Sequence, residues 1–187
     1  NLDPEHLDHY GSFAALKKTF LKFINNIPFY GVAICFIDHP EVKKLISKIK
    51  DRRVITYGYS SEADIQIINL EYKKNKAHFQ IYKKQNEEFF KFKLPMYGDH
   101  NVANATAAIT VAFHLKIPLE DIKKGLENFK GVKRRFTKVY TWNGIDIIDD
   151  YAHHPVEISA VLSAARKYAS GRVIAIHQPH RYTRLES

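Results

Sequence analysis

One stretch near the end of the chain, Asp149-Asp150-Tyr151-Ala152-His153-His154-Pro155, sets two carboxylates, a phenol and two imidazoles side by side. Ile147 and Ile148 lead into it, and after Pro155 the spacing of Val156, Ser159, Ala160 and Ser163 is helical. The pattern predicts a strand that runs into a polar loop and then a helix whose first position tolerates proline. At the carboxyl end of a strand in an open α/β sheet, such a loop faces ligand. Two acids beside two histidines are costly to crowd together unless water, a metal or a substrate shares the load. A solvated loop is the competing reading. Chelation by His153 and His154 together is disfavoured, because neighbouring side chains in a strand-to-loop turn point apart.

Three further groups could join that chemistry. A buried parallel strand expected at 173–176 ends in His177-Gln178-Pro179-His180-Arg181-Tyr182-Thr183-Arg184, which would bring imidazole and guanidinium groups to the same crevice. Asn101 and Asn104 lie one turn apart at the start of an alanine-rich helix (102–115), so both amides can face one ligand. An amide offers a donor and an acceptor together, as the edge of an adenine ring requires. The alternative is that Asp99 or Asn101 simply caps that helix. Finally, Gly131-Val132-Lys133-Arg134-Arg135-Phe136 reads as a domain boundary whose arginines suit a phosphate, unless they are ordinary solvated surface groups.

Positioning these groups needs elements the rest of the chain supplies. A helical apolar stripe at Leu16, Phe20, Phe23, Ile24 and Ile27 is expected to face the core, with Pro28 ending the helix. Strand 31–38, helix 40–50 and strand 54–59 follow at the spacing of a parallel βαβ unit. Residues 64–95 change to a β-meander, where His78, Gln80 and Tyr82 alternate with Phe79 and Ile81 as on a sheet with one wet face. A helix at 119–129 follows Pro118. Asn143-Gly144 then marks a hairpin turn between strands 139–142 and 145–148, with Tyr140 and Trp142 expected to pack. His39, His78, His114 and His177 are read as structural.

Composition sets outer limits. The 187 residues, 45% of them hydrophobic, can bury one ordinary core or two small ones. The apolar run at 32–37 is far too short to span a bilayer and the opening residues are acidic and polar, so a cytoplasmic protein without membrane contact is expected. Cys35 is the only cysteine, which excludes an intramolecular disulfide or a thiolate metal cluster. The formal charge of +9 suits an anionic partner, either nucleic acid or a phosphorylated small molecule, but the lysines are scattered and no nucleic-acid motif is present. There is no Met at position 1 and the chain stops just after an arginine-rich turn, as an excerpt from something longer would.

Five segments carry a resemblance. Asn1-Leu2-Asp3-Pro4-Glu5-His6-Leu7-Asp8-His9-Tyr10, Gly98-Asp99-His100-Asn101-Val102-Ala103-Asn104-Ala105, Gly131 to Phe136, Asp149 to Pro155 and Gln178 to Arg184 resemble, in order and spacing, the motifs of the Mur ligases. The resemblance spans nearly the whole chain. It implies an α/β fold: the rear part of a central ATPase domain over 1–131, a mixed sheet with helices and an antiparallel meander, and the start of a Rossmann-like C-terminal domain over 132–187. The phosphate-binding glycine loop and a magnesium-holding glutamate are expected upstream of Asn1, so the fragment alone should be inactive.

Within the family the pattern is most similar to members that use ATP and Mg2+ to join L-alanine to the lactyl carboxylate of UDP-N-acetylmuramate. Ligases that recycle murein tripeptide are the alternative within the family, and a basic nucleic-acid-binding module the alternative outside it. The resemblance implies that His6 ligates magnesium, that His100, Asn101 and Asn104 hold the adenine end of ATP, that Arg135 reaches its phosphates and that Asp150 takes the ribose hydroxyls. Tyr151, His154, His180, Arg181 and Arg184 would line the pocket for the muramoyl carboxylate and alanine, with His154, His180 and Arg181 assigned to catalysis. UDP-N-acetylmuramate and L-alanine are the implied partners, nucleic acid and membrane are not, and a monomer or weak dimer is expected. Lys133, Ala152 and Pro4-Glu5 depart from the family's usual residues at positions that bear on loop shape.

Overall fold

A computed structural model describes residues 2–4, 7–73 and 76–178. A short helix α1 (Leu7–Tyr10) precedes α2 (Phe13–Asn25), which starts where Ser12 Oγ accepts the Ala15 amide at 3.1 Å. Strand β1 (Val32–Phe36), helix α3 (Pro40–Ile46) and strand β2 (Arg53–Gly58) form the expected unit, with β1 and β2 parallel and Ile34 opposite Ile55. Leu2, together with Leu16 and Ile24 of α2, Ala33 and Cys35 of β1 and Leu45 of α3, makes a buried cluster. Asp38 fixes the turn after β2, accepting the amides of Tyr59 at 2.6 Å and Ser60 at 2.9 Å. The α2 stripe is only half confirmed. Leu16 and Ile24 are buried, but Phe20 and Phe23 are 39% and 71% exposed.

The sheet continues in sequence order as β1-β2-β3-β4-β5, with β3 (Ile65–Lys73) parallel to β2. Strands β4 (Lys76–Lys83) and β5 (Glu88–Leu94) follow β3 through connections too short for a parallel crossover, which gives the predicted meander. One face is dry: Ala77, Phe79 and Ile81 are at most 2% exposed while His78, Gln80 and Tyr82 alternate with them. Helix α4 (Asp99–His114) buries Val102, Thr106, Ile109 and Thr110, and the Thr110 hydroxyl is satisfied by the Thr106 carbonyl at 2.7 Å. Helix α5 (Leu119–Glu127) follows Pro118.

Strands β6 (Thr137–Trp142) and β7 (Ile145–Asp149) form a separate antiparallel hairpin. Its turn has Asn143 at φ 48° and Gly144 at φ 79°, the left-handed pair that an Asn-Gly hairpin needs. Helix α6 (Pro155–Tyr168) ends the regular structure. Two expectations fail in this region. Tyr140 and Trp142 are 62% and 59% exposed and do not pack. Residues 173–176 form no strand: Ile174 and Ile176 are 71% and 96% exposed, and among the described residues none pairs with them. A parallel strand exists only through its neighbours, so apolar sequence alone does not make one.

The chain folds as two compact units. One comprises Asn1–Asn69, Gln80–Lys91 and Thr106–Ile117, and the other Leu70–Phe79, Phe92–Ala105 and Pro118–Ser187. The divisions run through single elements, so neither unit is one continuous stretch of sequence. No helix among the described residues is long and apolar enough to cross a membrane.

Candidate active site

Every described residue of the candidate site belongs to the second unit. His6, His180, Arg181 and Arg184 lie outside the described residues. Asp150 follows directly on β7 and holds the local chain together. Its Oδ2 accepts the Phe136 amide at 2.7 Å and its Oδ1 the Ala152 amide at 2.8 Å, tying the linker before β6 to the loop after β7. A carboxylate offers about four lone-pair sites, so acceptor capacity remains for a diol.

Arg135 sits in that linker between two non-glycine residues of positive φ, Arg134 at 57° and Phe136 at 51°. Such backbone is costly and persists where surrounding contacts over-determine it. Those contacts are present: the Tyr151 amide donates to the Arg134 carbonyl at 2.8 Å, Arg134 Nε lies 3.3 Å from Asp149 Oδ2, and its guanidinium stands 4.8 Å over the Tyr151 ring. Arg135 Nη1 in turn lies 3.5 Å from Glu157 Oε1.

Glu157 is a residue the sequence motifs did not single out. It occupies the third position of α6 after the N-cap His154, and its Oε2 accepts the His153 amide at 3.3 Å, a variant of the capping box. The spacing from His154 is the signal that could have found it. Burial alone would raise the Glu157 carboxyl, but the amide bond and the nearby Arg135 and His153 outweigh it and hold it below the usual range. The two histidines are committed separately: His153 Nδ1 is 2.9 Å from the Tyr151 carbonyl, while His154 Nδ1 accepts the Val156 amide at 3.4 Å.

The start of α4 supplies the other groups. Asn101 is 9% exposed and its Nδ2 donates to the Tyr97 carbonyl at 2.6 Å, whereas Asn104, one turn on, is exposed. The two amides therefore differ in surroundings: one is locked into the helix entry and the other open. His100 is half-buried. Burial pushes its pKa down, while the charges of Asp150 and Asp99 push it back up and Arg135 opposes them. The charges of Arg135, Asp150 and Glu157 thus all act on His100.

Gly98 makes room for this arrangement. It has φ +98°, and a Cβ there would stand 2.5 Å from the His100 ring and 3.3 Å from the Ala164 methyl of α6. Beside it, a cavity of about 330 Å³ is lined by Tyr97, Arg135, Phe136, Lys138, Ile148 and Tyr168 among others. That volume lies at the lower end of ligand pockets, and the wall combines rings with cations. Among the described residues no three His, Cys, Asp or Glu side chains gather as a metal site.

This α/β architecture, a mixed sheet with α4 followed by a linker, a hairpin and a polar loop leading into α6, has known counterparts. The model of the Mur ligase middle domain matches residues 1–112, and that of the Mur ligase, glutamate ligase domain matches residues 134–186. The first match alone covers more than half of the chain, and the chain belongs to the Mur ligase family. It is 54% identical over 188 residues to the UDP-N-acetylmuramate–L-alanine ligase of Dinoroseobacter shibae, across 100% of this chain and 40% of that protein. Among solved structures, MurF from Acinetobacter baumannii superposes with a TM-score of 0.77 at 27% identity, covering 89% of this chain and 36% of that one. The UDP-N-acetylmuramate-alanine ligase MurC of Thermotoga maritima does so with a TM-score of 0.71 at 28% identity, covering 87% and 36%. The chain therefore spans well under half the length of the relatives it matches.

Proposed function

We propose that the whole protein is an ATP-dependent ligase that joins L-alanine to the lactyl carboxylate of UDP-N-acetylmuramate. The observation that carries this reading is the 54% identity, over the full chain, to a ligase of that name. In the proposed reaction the carboxylate takes the γ-phosphoryl group of ATP and ADP leaves. The alanine amine then attacks the acyl phosphate, loses a proton, and phosphate departs as the amide forms. Negative charge develops in both steps, so the demand on the protein is for cations and alignment rather than a nucleophile.

The residues fit that demand. His100 and Asn101, with Asn104, take the adenine end; Arg135 reaches the phosphates by exchanging its Glu157 contact for them; and Asp150 accepts from the ribose hydroxyls while keeping its two backbone amides. Tyr151 and His154 are assigned to the acyl and amine pocket together with His180, Arg181 and Arg184, which lie outside the described residues, and His154, His180 and Arg181 are assigned to catalysis. Magnesium, with His6 as a ligand, would neutralise phosphate charge. The described residues supply no cluster for it, so no step is assigned to it. The boundary between the ATP-binding and the C-terminal ligase parts is placed at residues 131 and 132, which is supported by the gap between the two family matches.

The test is ADP release by the intact protein. It should require both UDP-N-acetylmuramate and an amino acid, with L-alanine preferred. Equal turnover with an unrelated amino acid, or none with alanine, overturns the assignment. Asp150→Asn should raise the KM for ATP, and an unchanged KM removes Asp150 from the ribose.

A further inference from the structure

Asp99 stands immediately before His100 and Asn101 on α4, so whatever fixes its carboxylate fixes the turn that carries them. Lys167, in the last turn of α6, places Nζ 2.7 and 2.8 Å from the two Asp99 oxygens. The Tyr72 hydroxyl donates to the same carboxylate at 2.7 Å, and the ammonium lies 5.4 Å from the Tyr72 ring centroid. Burial alone would raise the Asp99 carboxyl, but the bonds from Lys167 and Tyr72 hold it below the usual range.

Rings close the circuit. Tyr72 stacks on Tyr97 at 5.1 Å, and Tyr97 meets Tyr168 edge-on at 5.1 Å. Tyr168 is the neighbour of Lys167, and its hydroxyl donates to Asp146 on β7. The Tyr97 carbonyl is also the acceptor for Asn101. The first turn of α4 is therefore tied to the last turn of α6 by an ion pair, a phenol and a ring stack that share members.

We infer that Asp99 and Lys167 are positioning residues for the nucleotide, a brace that keeps His100 and Asn101 in register with the loop bearing Asp150. The inference rests on the reading that His100 and Asn101 hold the adenine end of ATP. Neither Asp99 nor Lys167 is assigned a contact with ligand. Geometry this local matters because displacing binding groups by about 1 Å is enough to lose much of their effect. An isolated exposed ion pair holds little, but here the pair cannot shift without also disturbing Tyr72 and, through it, Tyr97.

The experiment is a set of variants of the intact protein, with kcat and the three substrate KM values measured at low salt. Asn101→Ala tests the underlying reading and should raise the KM for ATP; no change overturns that reading and the brace with it. Lys167→Ala should raise the KM for ATP about two- to fivefold, the range an exposed but networked pair commands. The KM values for alanine and UDP-N-acetylmuramate should stay level. Lys167→Arg should restore the wild-type value. Asp99→Asn should match Lys167→Ala, and the double variant should be no worse than either alone. If Asn101→Ala responds but Lys167→Ala leaves the KM for ATP unchanged, the brace is wrong while the adenine assignment stands. A rise in all three KM values with a lowered Tm, or additive single effects, assigns the pair to general stability and equally overturns the inference.

Discussion

The five-stranded sheet and the two-stranded hairpin have similar sequence texture and opposite means of support. On β4 the alternating residues Ala77, Phe79 and Ile81 are at most 2% exposed, so that strand is held by packing. On β6 and β7, Val139, Tyr140, Trp142, Ile145 and Ile147 are all at least 46% exposed. The hairpin keeps its shape through polar contacts instead: Thr141 donates to Asp146 at 2.6 Å, Tyr168 to the same carboxylate, and the Phe136 amide to Asp150. Period-two apolar sequence thus specifies extended backbone, whereas burial depends on what lies across the face. That hydrogen-bonded hairpin leads directly into Asp150 and Tyr151, whereas His100, Asn101 and Asn104 stand on α4.

Three measurements sharpen that contrast. The largest effect belongs to the packed sheet: Ile81→Ala removes a fully buried side chain and should cost about 3 to 4 kcal/mol in urea unfolding. A loss under about 1 kcal/mol would mean that the sheet is not the core it resembles. An intermediate effect concerns His100. Its folded pKa lies below the ordinary histidine value because burial penalises the charged form, so the unfolded chain binds the proton first. Stability should be full above about pH 6.5 and should fall as pH drops below it towards the depressed folded value. The urea midpoint at pH 7.5 and 5.5 should therefore differ more in the wild type than in His100→Gln, and equal differences would remove His100 as the cause. The smallest effect belongs to the hairpin face, where Val139→Ala should change stability by less than about 0.5 kcal/mol. A cost above 1 kcal/mol would show that the face is covered in solution.

Much of the fold could be read from residues because local rules govern it. Pro40, Pro118 and Pro155 each open a helix, Asn143-Gly144 makes its hairpin, and the β4 alternation sorts its two faces. The failures share one cause. Whether 173–176 becomes a strand, and whether Trp142 packs, depends on partners that the segment's own sequence does not name. The site divides in the same way. His100, Arg135 and Asp150 each stand in a motif that local sequence makes visible, and Glu157 was within reach through its spacing from the N-cap. The pairing of Lys167 with Asp99 joins residues far apart in sequence, and no local pattern announces it.

Cys35 gives the first unit a built-in clock. The chain's only thiol is 8% exposed on β1, and burial raises its pKa, so reactive thiolate is scarce while the cluster around it stays closed. Alkylation then proceeds at the pace of local opening, and a covalent label at Cys35 reports how often Leu16, Ile24 and Leu45 part company.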